Sequence, residues 1–321
     1  MAGQIWASST LGGYFYSLRL SKELREAVQP KLKFVQFCDA KDASAQGQKK
    51  GDLFTWDVVF NVATQGASLT ETNTMPETQF TVAQATGTLY EYGNSVPYSG
   101  KLEALSQFDV RRTVMNALQN DAAKTLDSAA FDQFAVSSLV VVSTASAALA
   151  TYTDGAAGAA NTSALYKANL TLIRDWMVER NIPYYDGDNY ICIAHPTTLR
   201  SLKTDLESVS QYTSEGYTKI INGEIGRYDN VRFVEQTAIA KAAIGTWGQG
   251  KSNWAVFFGA DTVMEGIATP MEMRAKIPTD YGRSKGLAWY ALEGFAIVHN
   301  WGLTADPSAA QTRIVLWGSS A

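Results

Sequence analysis

The residues Gly245-Thr246-Trp247-Gly248-Gln249-Gly250-Lys251-Ser252 match the phosphate-binding loop pattern letter for letter. That chemistry needs a strand to deliver the loop and a helix after it, because the helix's free N–H groups and dipole hold the phosphates. The next residues, Asn253-Trp254-Ala255-Val256-Phe257-Phe258, read as a strand, so a Gly-rich turn is the expectation. Gly282-Arg283-Ser284-Lys285-Gly286 likewise matches the nucleophile-elbow pattern of hydrolases. A nucleophilic Ser there needs a buried strand before it and an acid, then a His, after it. Pro278-Thr279-Asp280-Tyr281 is a polar turn and His299 is the one downstream His, so a surface loop is expected. Asp186-Gly187-Asp188-Asn189 has the start of a calcium loop, but Tyr190 takes the third ligand position and no Glu falls at the twelfth. It reads as a turn before a strand. His195, ahead of Pro196, marks a strand end or helix start, and His299, in an apolar strand, reads as a hydrogen-bonded core residue.

Cys38 and Cys192 are the only cysteines, which excludes a disulfide framework. Of the four Cys and His residues only Cys192 and His195 are close in sequence, so a Cys/His zinc site is not expected. No catalytic, cofactor-binding or metal constellation survives, and the expectation is a protein that is not an enzyme.

The elements that must position any function can be read from composition and period. With 321 residues, 46% hydrophobic and 18% charged, the chain has room for about two compact units. No basic start with an apolar run behind it suggests a secretory signal, and the most apolar stretch, 139–150, is too short to span a membrane. A soluble protein made in a cytoplasm is expected. The net charge of −4 argues against a chain devoted to wrapping nucleic acid, but the charge is unevenly placed. Residues 1–50 carry eight basic and four acidic side chains, whereas 51–100 carry five acids and neither Lys nor Arg. The basic arm is either a solvated face or a surface that meets nucleic acid.

From Phe54 to Val62 residues alternate, with Phe54, Trp56, Val58, Phe60 and Val62 on one face, the period of a strand. A polar stretch, 65–77, and a second, less regular alternation through Tyr90 and Tyr92 complete a long hairpin with a broad tip. A two-stranded element is marginal alone, so its aromatic face must be covered, by the rest of the chain or by another copy. Next, apolar residues at three- to four-residue spacing predict one long helix from Lys101 to about Phe134, with a break near Asp127–Ser128. Residues 145–163 read as a loop. Then come a helix to about Asn181, a buried strand at Tyr190–Ala194, and a helix opened by Pro196. Beyond them lie a hairpin turning at Asp229–Asn230 and strands at 254–258, 262–267, 288–299 and 313–317, with Gly294 as a bulge.

This order of elements resembles the Hong Kong 97-type major capsid proteins of tailed bacteriophages, and more specifically the N-four-type capsid family. The resembling stretches are Tyr190-Ile-Cys-Ile-Ala-His-Pro196 leading into Leu199 and Leu202, Ile221-Asn-Gly-Glu-Ile-Gly226 before Val231-Arg-Phe-Val-Glu235, and the turn Phe258-Gly259-Ala-Asp261. The resemblance implies an α+β fold with residues 1–52 as an N-terminal arm and 53–100 as an extended loop over a neighbouring subunit. It also implies a spine helix over 101–140, an axial domain over 141–270 and C-terminal strands of the peripheral domain over 271–321.

The implied function is a self-assembling shell of hexamers and pentamers around double-stranded DNA. It would be located in the virion capsid and, during assembly, in the host cytoplasm. Scaffolding, cement or decoration proteins and a portal are implied partners; no cofactor and no membrane are. Phe54, Trp56, Asp57, Val58, Phe60, Glu71, Glu77, Tyr90 and Tyr92 would make the contacts between subunits. Arg19, Lys22, Arg25, Lys31 and Lys33 would face DNA. Some relatives weld this loop to the next subunit through a Lys, a route closed here because 51–100 contains none. Alternative readings are an encapsulin-like nanocompartment shell, which shares the fold, and a phosphate-loop enzyme using Lys251.

Overall fold

The computed structural model describes residues 33–43, 51–59, 68–72, 74–75, 77–79, 82–137, 139–145, 148–152, 164–210, 226–237, 254–278, 280–299 and 312–318. Arg19, Lys22, Arg25, Lys31, Phe60 and the 245–252 match lie outside them. The strands are β1 (Asp39–Asp42), β2 (Leu53–Val59), β3 (Val82–Thr88), β4 (Tyr90–Ser99), β5 (Val140–Ala145), β6 (Ala148–Tyr152), β7 (Tyr190–Ala194), β8 (Arg227–Tyr228), β9 (Val231–Glu235), β10 (Ala255–Phe258), β11 (Val263–Ala275), β12 (Ser284–Ile297) and β13 (Ile314–Trp317). The helices are α1 (Gly100–Leu105), α2 (Val110–Ala135), α3 (Lys167–Glu179) and α4 (Arg200–Ser210).

The helical stretch breaks early, between α1 and α2, and not at Asp127–Ser128. Ser106 Oγ donates to the Phe108 carbonyl at 2.7 Å and accepts from its N–H at 3.1 Å, a local alternative to helical bonding. Asp109 Oδ1 then accepts from the Arg112 N–H at 3.0 Å and caps the new helix. Asp127 stays helical and is buried, because its carboxylate is fully used. Oδ1 accepts from the N–H groups of Phe34 and Val35 at 2.6 and 3.1 Å, and Oδ2 accepts from Gln236 Nε2 at 2.7 Å. One side chain thus ties the arm segment, the spine helix and the end of β9 together.

α2 bridges two sheets. Val110, Val114, Leu118 and Ala122 of its first half pack on Tyr98, Leu287, Trp289 and Ala291 of a four-stranded sheet ordered β1–β11–β12–β4. Ala130, Phe131 and Phe134 of its second half, with Phe34, pack on Ile191, Ile193, Val256, Phe258, Ile314 and Leu316 of a seven-stranded sheet ordered β6–β5–β13–β10–β7–β9–β8. The opposite face of that sheet, including Cys192, Ala255, Phe257, Val315 and Trp317, is covered by Leu170, Ile173 and Met177 of α3 and Leu199 and Leu202 of α4. Burial on both faces explains why β7, β10 and β13 read as unbroken apolar runs.

Other expectations change as well. β13 is not with the peripheral strands: it lies between β5 and β10, because its two faces fill the two cores of the larger sheet. Ala148–Tyr152, expected as loop, pairs with β5. β11 is one strand from Val263 to Ala275, so the expected 270/271 boundary falls inside it. Asp229 and Asn230 make the predicted turn with both φ positive, 47° and 58°.

Glu293 on β12 is buried between this sheet and the spine, and its Oε2 has no hydrogen-bond partner among the described residues. Burial, then the charge of Glu265 on β11, raises it from 4.5 to about 7, while a Met271 backbone hydrogen bond opposes the rise. Burial also raises Glu265, Asp132 on α2 and Tyr92 on β4. The folded state therefore favours protonated Glu293. That contribution is complete below about pH 4.5 and is lost as pH rises through about 7. Thermal unfolding of the subunit should show a midpoint falling by a few degrees, about 2–6 °C, between pH 5 and 8, and Glu293→Gln should flatten the dependence. Asp127→Ala should cost about 2–4 kcal/mol in denaturant unfolding, because it orphans two backbone N–H groups and the Gln236 amide.

Candidate assembly surface

β2 and β3 form the hairpin, in register from Leu53 opposite Thr88 to Val59 opposite Val82. Alternation splits it into an inward face of Phe54, Trp56 and Val58 and an outward face of Leu53, Thr55, Asp57 and Val59, as the sequence predicts. The cover over the inward face differs from the expectation. Phe54 is only 4% exposed and clusters with Leu89, Ala43 and Ala296 of its own chain.

Its ring occupies a slot made of glycines. A Cβ on Gly266 would lie 3.1 Å from the ring and one on Gly294 2.9 Å, and a Cβ on Gly87 would collide with it. Gly266 and Gly294 are paired partners on β11 and β12, so Gly294 marks this close approach and not a bulge. The register shifts of that pair fall between Ile267 and Glu272. Trp56 Nε1 donates to the Val298 carbonyl at 3.2 Å, and Val58 is half-buried. The root of the arm is therefore folded against its own body, and Phe54 and Trp56 find their first partners there. The Phe–Gly contact joins residues more than two hundred positions apart, which strand periodicity could not show.

Among the described residues, the outward side of the hairpin stays open. Leu53, Val59 and Val82 are at least half exposed, and Asp57 accepts from Gln84 Nε2 at 3.2 Å on the same outward face. Farther along, Leu69 and Met75 are more than half exposed, beside exposed Glu71 and Glu77. Tyr90 and Tyr92 are not hairpin residues: they begin β4, which pairs with β12 from Tyr90–Glu293 to Ser99–Ser284. Tyr90 is exposed and Tyr92 half-buried, their rings T-shaped with centroids 6.5 Å apart. Glu91 accepts from the Tyr290 hydroxyl at 3.1 Å.

The residues that first suggested catalysis have structural roles. Ser284 opens β12 and its Oγ accepts from Lys276 Nζ at 2.8 Å, with no strand delivering it into a helix. His299 is buried with Nε2 3.0 Å from Asp261 Oδ2, which Arg313 also holds at 3.2 Å. This contact, led by the His299 hydrogen bond, holds Asp261 below the usual carboxylate range. His195 Nδ1 lies 2.7 Å from Thr197 Oγ1 at the helix entry. Asp186 and Asn189 close a turn. Lys33 lines a cleft of about 370 Å³ with Phe37, Tyr185, Asp186 and Arg232, the last two 3.9 Å apart. Among the described residues no His, Cys, Asp and Glu cluster could hold a metal, and no helix is long and apolar enough to cross a membrane.

A family model described as phage capsid protein matches residues 83–312. The chain belongs to this family. No curated protein matches it by sequence. Its fold is similar to the capsid of cyanophage P-SCSP1u, at 14% identity and TM-score 0.67 over 95% of this chain and 93% of that one. It is also similar to the capsid of cyanophage Pam1, at 13% identity and TM-score 0.66 over 100% of both chains. The head of Helicobacter pylori bacteriophage KHP40 gives 14% and 0.64 over 95% of both. The fold is thus of the Hong Kong 97 type, and the role of this major capsid protein is structural.

Sequence reasoning missed the capsid protein's glycine slot and the Asp127 tie. Isolated glycines within strand patterns were the available signal for the first. Phe54→Ala should cost about 3–5 kcal/mol in denaturant unfolding of the unassembled subunit. A cost below about 0.5 kcal/mol would mean that the ring is not packed within its own chain.

Proposed function

We propose that this capsid protein assembles through its hairpin into hexamers and pentamers of an icosahedral head that encloses double-stranded DNA, with no catalytic role. The observation that carries the reading is the division of the hairpin: its root is locked to its own sheet, while its outward face and tip expose Leu53, Val59, Val82, Leu69 and Met75 among acids without one cation. Apolar groups in an acidic setting suit a neighbour's surface that is apolar and basic, where opposite potentials set register and discourage wrong contacts.

Asp57, Glu71, Glu77 and Tyr90, all exposed, remain the contact residues of this reading, with Val58 and Tyr92 at its margin and Phe54 and Trp56 as the rigid base. Phe60 belongs to the same alternation. The basic arm, with Arg19, Lys22, Arg25, Lys31 and Lys33, would face packaged DNA without sequence preference. Assembly would take place in the host cytoplasm, with scaffolding, decoration and portal proteins as further partners.

Expression of the full chain, with a scaffold where one is needed, should give capsomers or shells by electron microscopy. Glu71→Lys with Glu77→Lys should cut particle yield about tenfold while leaving the subunit's thermal midpoint within about 2 °C. Unchanged particle yield would overturn the hairpin's role.

A further inference from the structure

The cleft beside Lys33 lies where two chain segments are held against one face of the larger sheet. On one side is a short helical turn, Val35–Phe37. The Asp127 carboxylate fixes it through the N–H groups of Phe34 and Val35, and the Phe37 N–H donates to the Phe34 carbonyl at 3.0 Å. On the other side is the turn before β7, where the Tyr185 N–H donates to the Asn189 carbonyl at 2.9 Å. The floor is Ile191 of β7 and Val234 of β9. Ile191 pairs with Arg232 and Ile193 with Val234, so Arg232 rises from that same face.

The wall is aromatic. Phe37 and Tyr185 are T-shaped with centroids 5.5 Å apart, and both rest on Phe258, at 5.4 and 6.0 Å. Such packing fixes the rings before a ligand arrives, which removes an ordering cost from binding. Burial, ahead of the charges of Cys38, Asp186 and Asp39, raises the Tyr185 hydroxyl above its ordinary value, so it stays a neutral donor.

The rim carries donors with little to hold them. Lys33 makes no hydrogen bond or ion pair among the described residues. Arg232 has Asp186 at 3.9 Å, both side chains more than 60% exposed, a contact that contributes little. Two cations therefore face one anion around about 370 Å³, at the lower end of the roughly 300–1,000 Å³ of small-molecule sites. A flat ring fits the floor and wall, an anionic group fits Lys33 and Arg232, and the Gln36 amide and Asp186 carboxylate suit polar ring edges. A nucleotide has all three parts. Stacking rings beside cations that follow a backbone are the arrangement that holds single strands, whereas a base within a duplex is already stacked and paired. The adjoining stretch 19–33 has five cations and two acids, which attracts a phosphate backbone.

We propose that this cleft seats one unpaired nucleotide of a single-stranded stretch, its base against Phe37 and Tyr185 and its phosphate between Lys33 and Arg232. This rests on the reading that the basic arm faces nucleic acid and gives that contact a defined seat.

The test is fluorescence anisotropy of the full chain, before assembly, with a labelled single strand of about 12 nucleotides and with the matching duplex. The single strand should bind several-fold more tightly. Tyr185→Leu, which keeps an apolar group on Phe258 and removes the ring, should weaken single-strand binding about tenfold and leave duplex binding unchanged. Lys33→Ala with Arg232→Ala should weaken single-strand binding about tenfold and lower the slope of its salt dependence by roughly 1. Equal binding of strand and duplex, with Tyr185→Leu silent on both, overturns the cleft and leaves the arm's role standing. If neither nucleic acid binds, both fall. Thymidine monophosphate binding as tightly as the strand would make the ligand a free nucleotide and overturn the strand assignment. Tighter binding of an acidic peptide carrying one Phe, lost in Tyr185→Leu, would make the cleft a peptide site and overturn the inference.

Should a variant fail to fold, photocrosslinking of the unaltered chain to a strand carrying bromodeoxyuridine gives a second reading. Crosslinks at Phe37 or Tyr185 are expected by mass spectrometry. Their absence from both positions would overturn the proposal.

Discussion

The spine helix has apolar side chains on a stripe that is longer than either sheet alone covers, and the fold is the arrangement that buries all of it. Val110 to Ala122 take the four-stranded sheet, and Ala130 to Phe134 take the seven-stranded one. A side chain left in water along this stripe would forfeit roughly 1.5–3 kcal/mol. The two sheets are therefore held at one rod. Asp127 sits near the changeover with three donors on its two oxygens, so the arm segment joins at the same point. A buried carboxylate satisfied in this way carries geometry as much as stability, because its partners come from separate parts of the chain.

That rod makes the smaller sheet a platform with two usable faces. One face holds α2. The other receives Phe54 over Gly266 and Gly294, which fixes where the hairpin starts and the direction in which it leaves. The root is packed against the sheet, so the direction in which the hairpin leaves is defined, while Leu53, Val59, Leu69 and Met75 stay exposed.

Much of this was legible in the residues. Period-2 alternation identified the hairpin and assigned Phe54, Trp56 and Val58 to one face, and the unbroken apolar runs identified β7 and β10. The acid-only composition of 51–100 and the absence of Lys were plain from counting. Other features escaped for specific reasons. The break before α2 depends on how Ser106 and Asp109 spend their side-chain oxygens, a choice that competes with helix and is decided by packing around them. Asp127 read as a helix breaker because its donors come from residues about ninety positions before it and a hundred after it.

Taken alone, the order of amino acids determined most of the elements, the buried face of the first hairpin strand and the charge of the hairpin, since each of these is a local property of period and composition. It also carried the family resemblance. Only the tertiary structure decided what covers each face: that β13 enters the middle of the larger sheet, that Tyr90 and Tyr92 belong to β4, and that the hairpin's aromatic root is satisfied by its own chain. Burial is a relation between surfaces distant in sequence. A strand's pattern states that one side must be covered, and the slot that covers it exists only once Gly266 and Gly294 lie side by side.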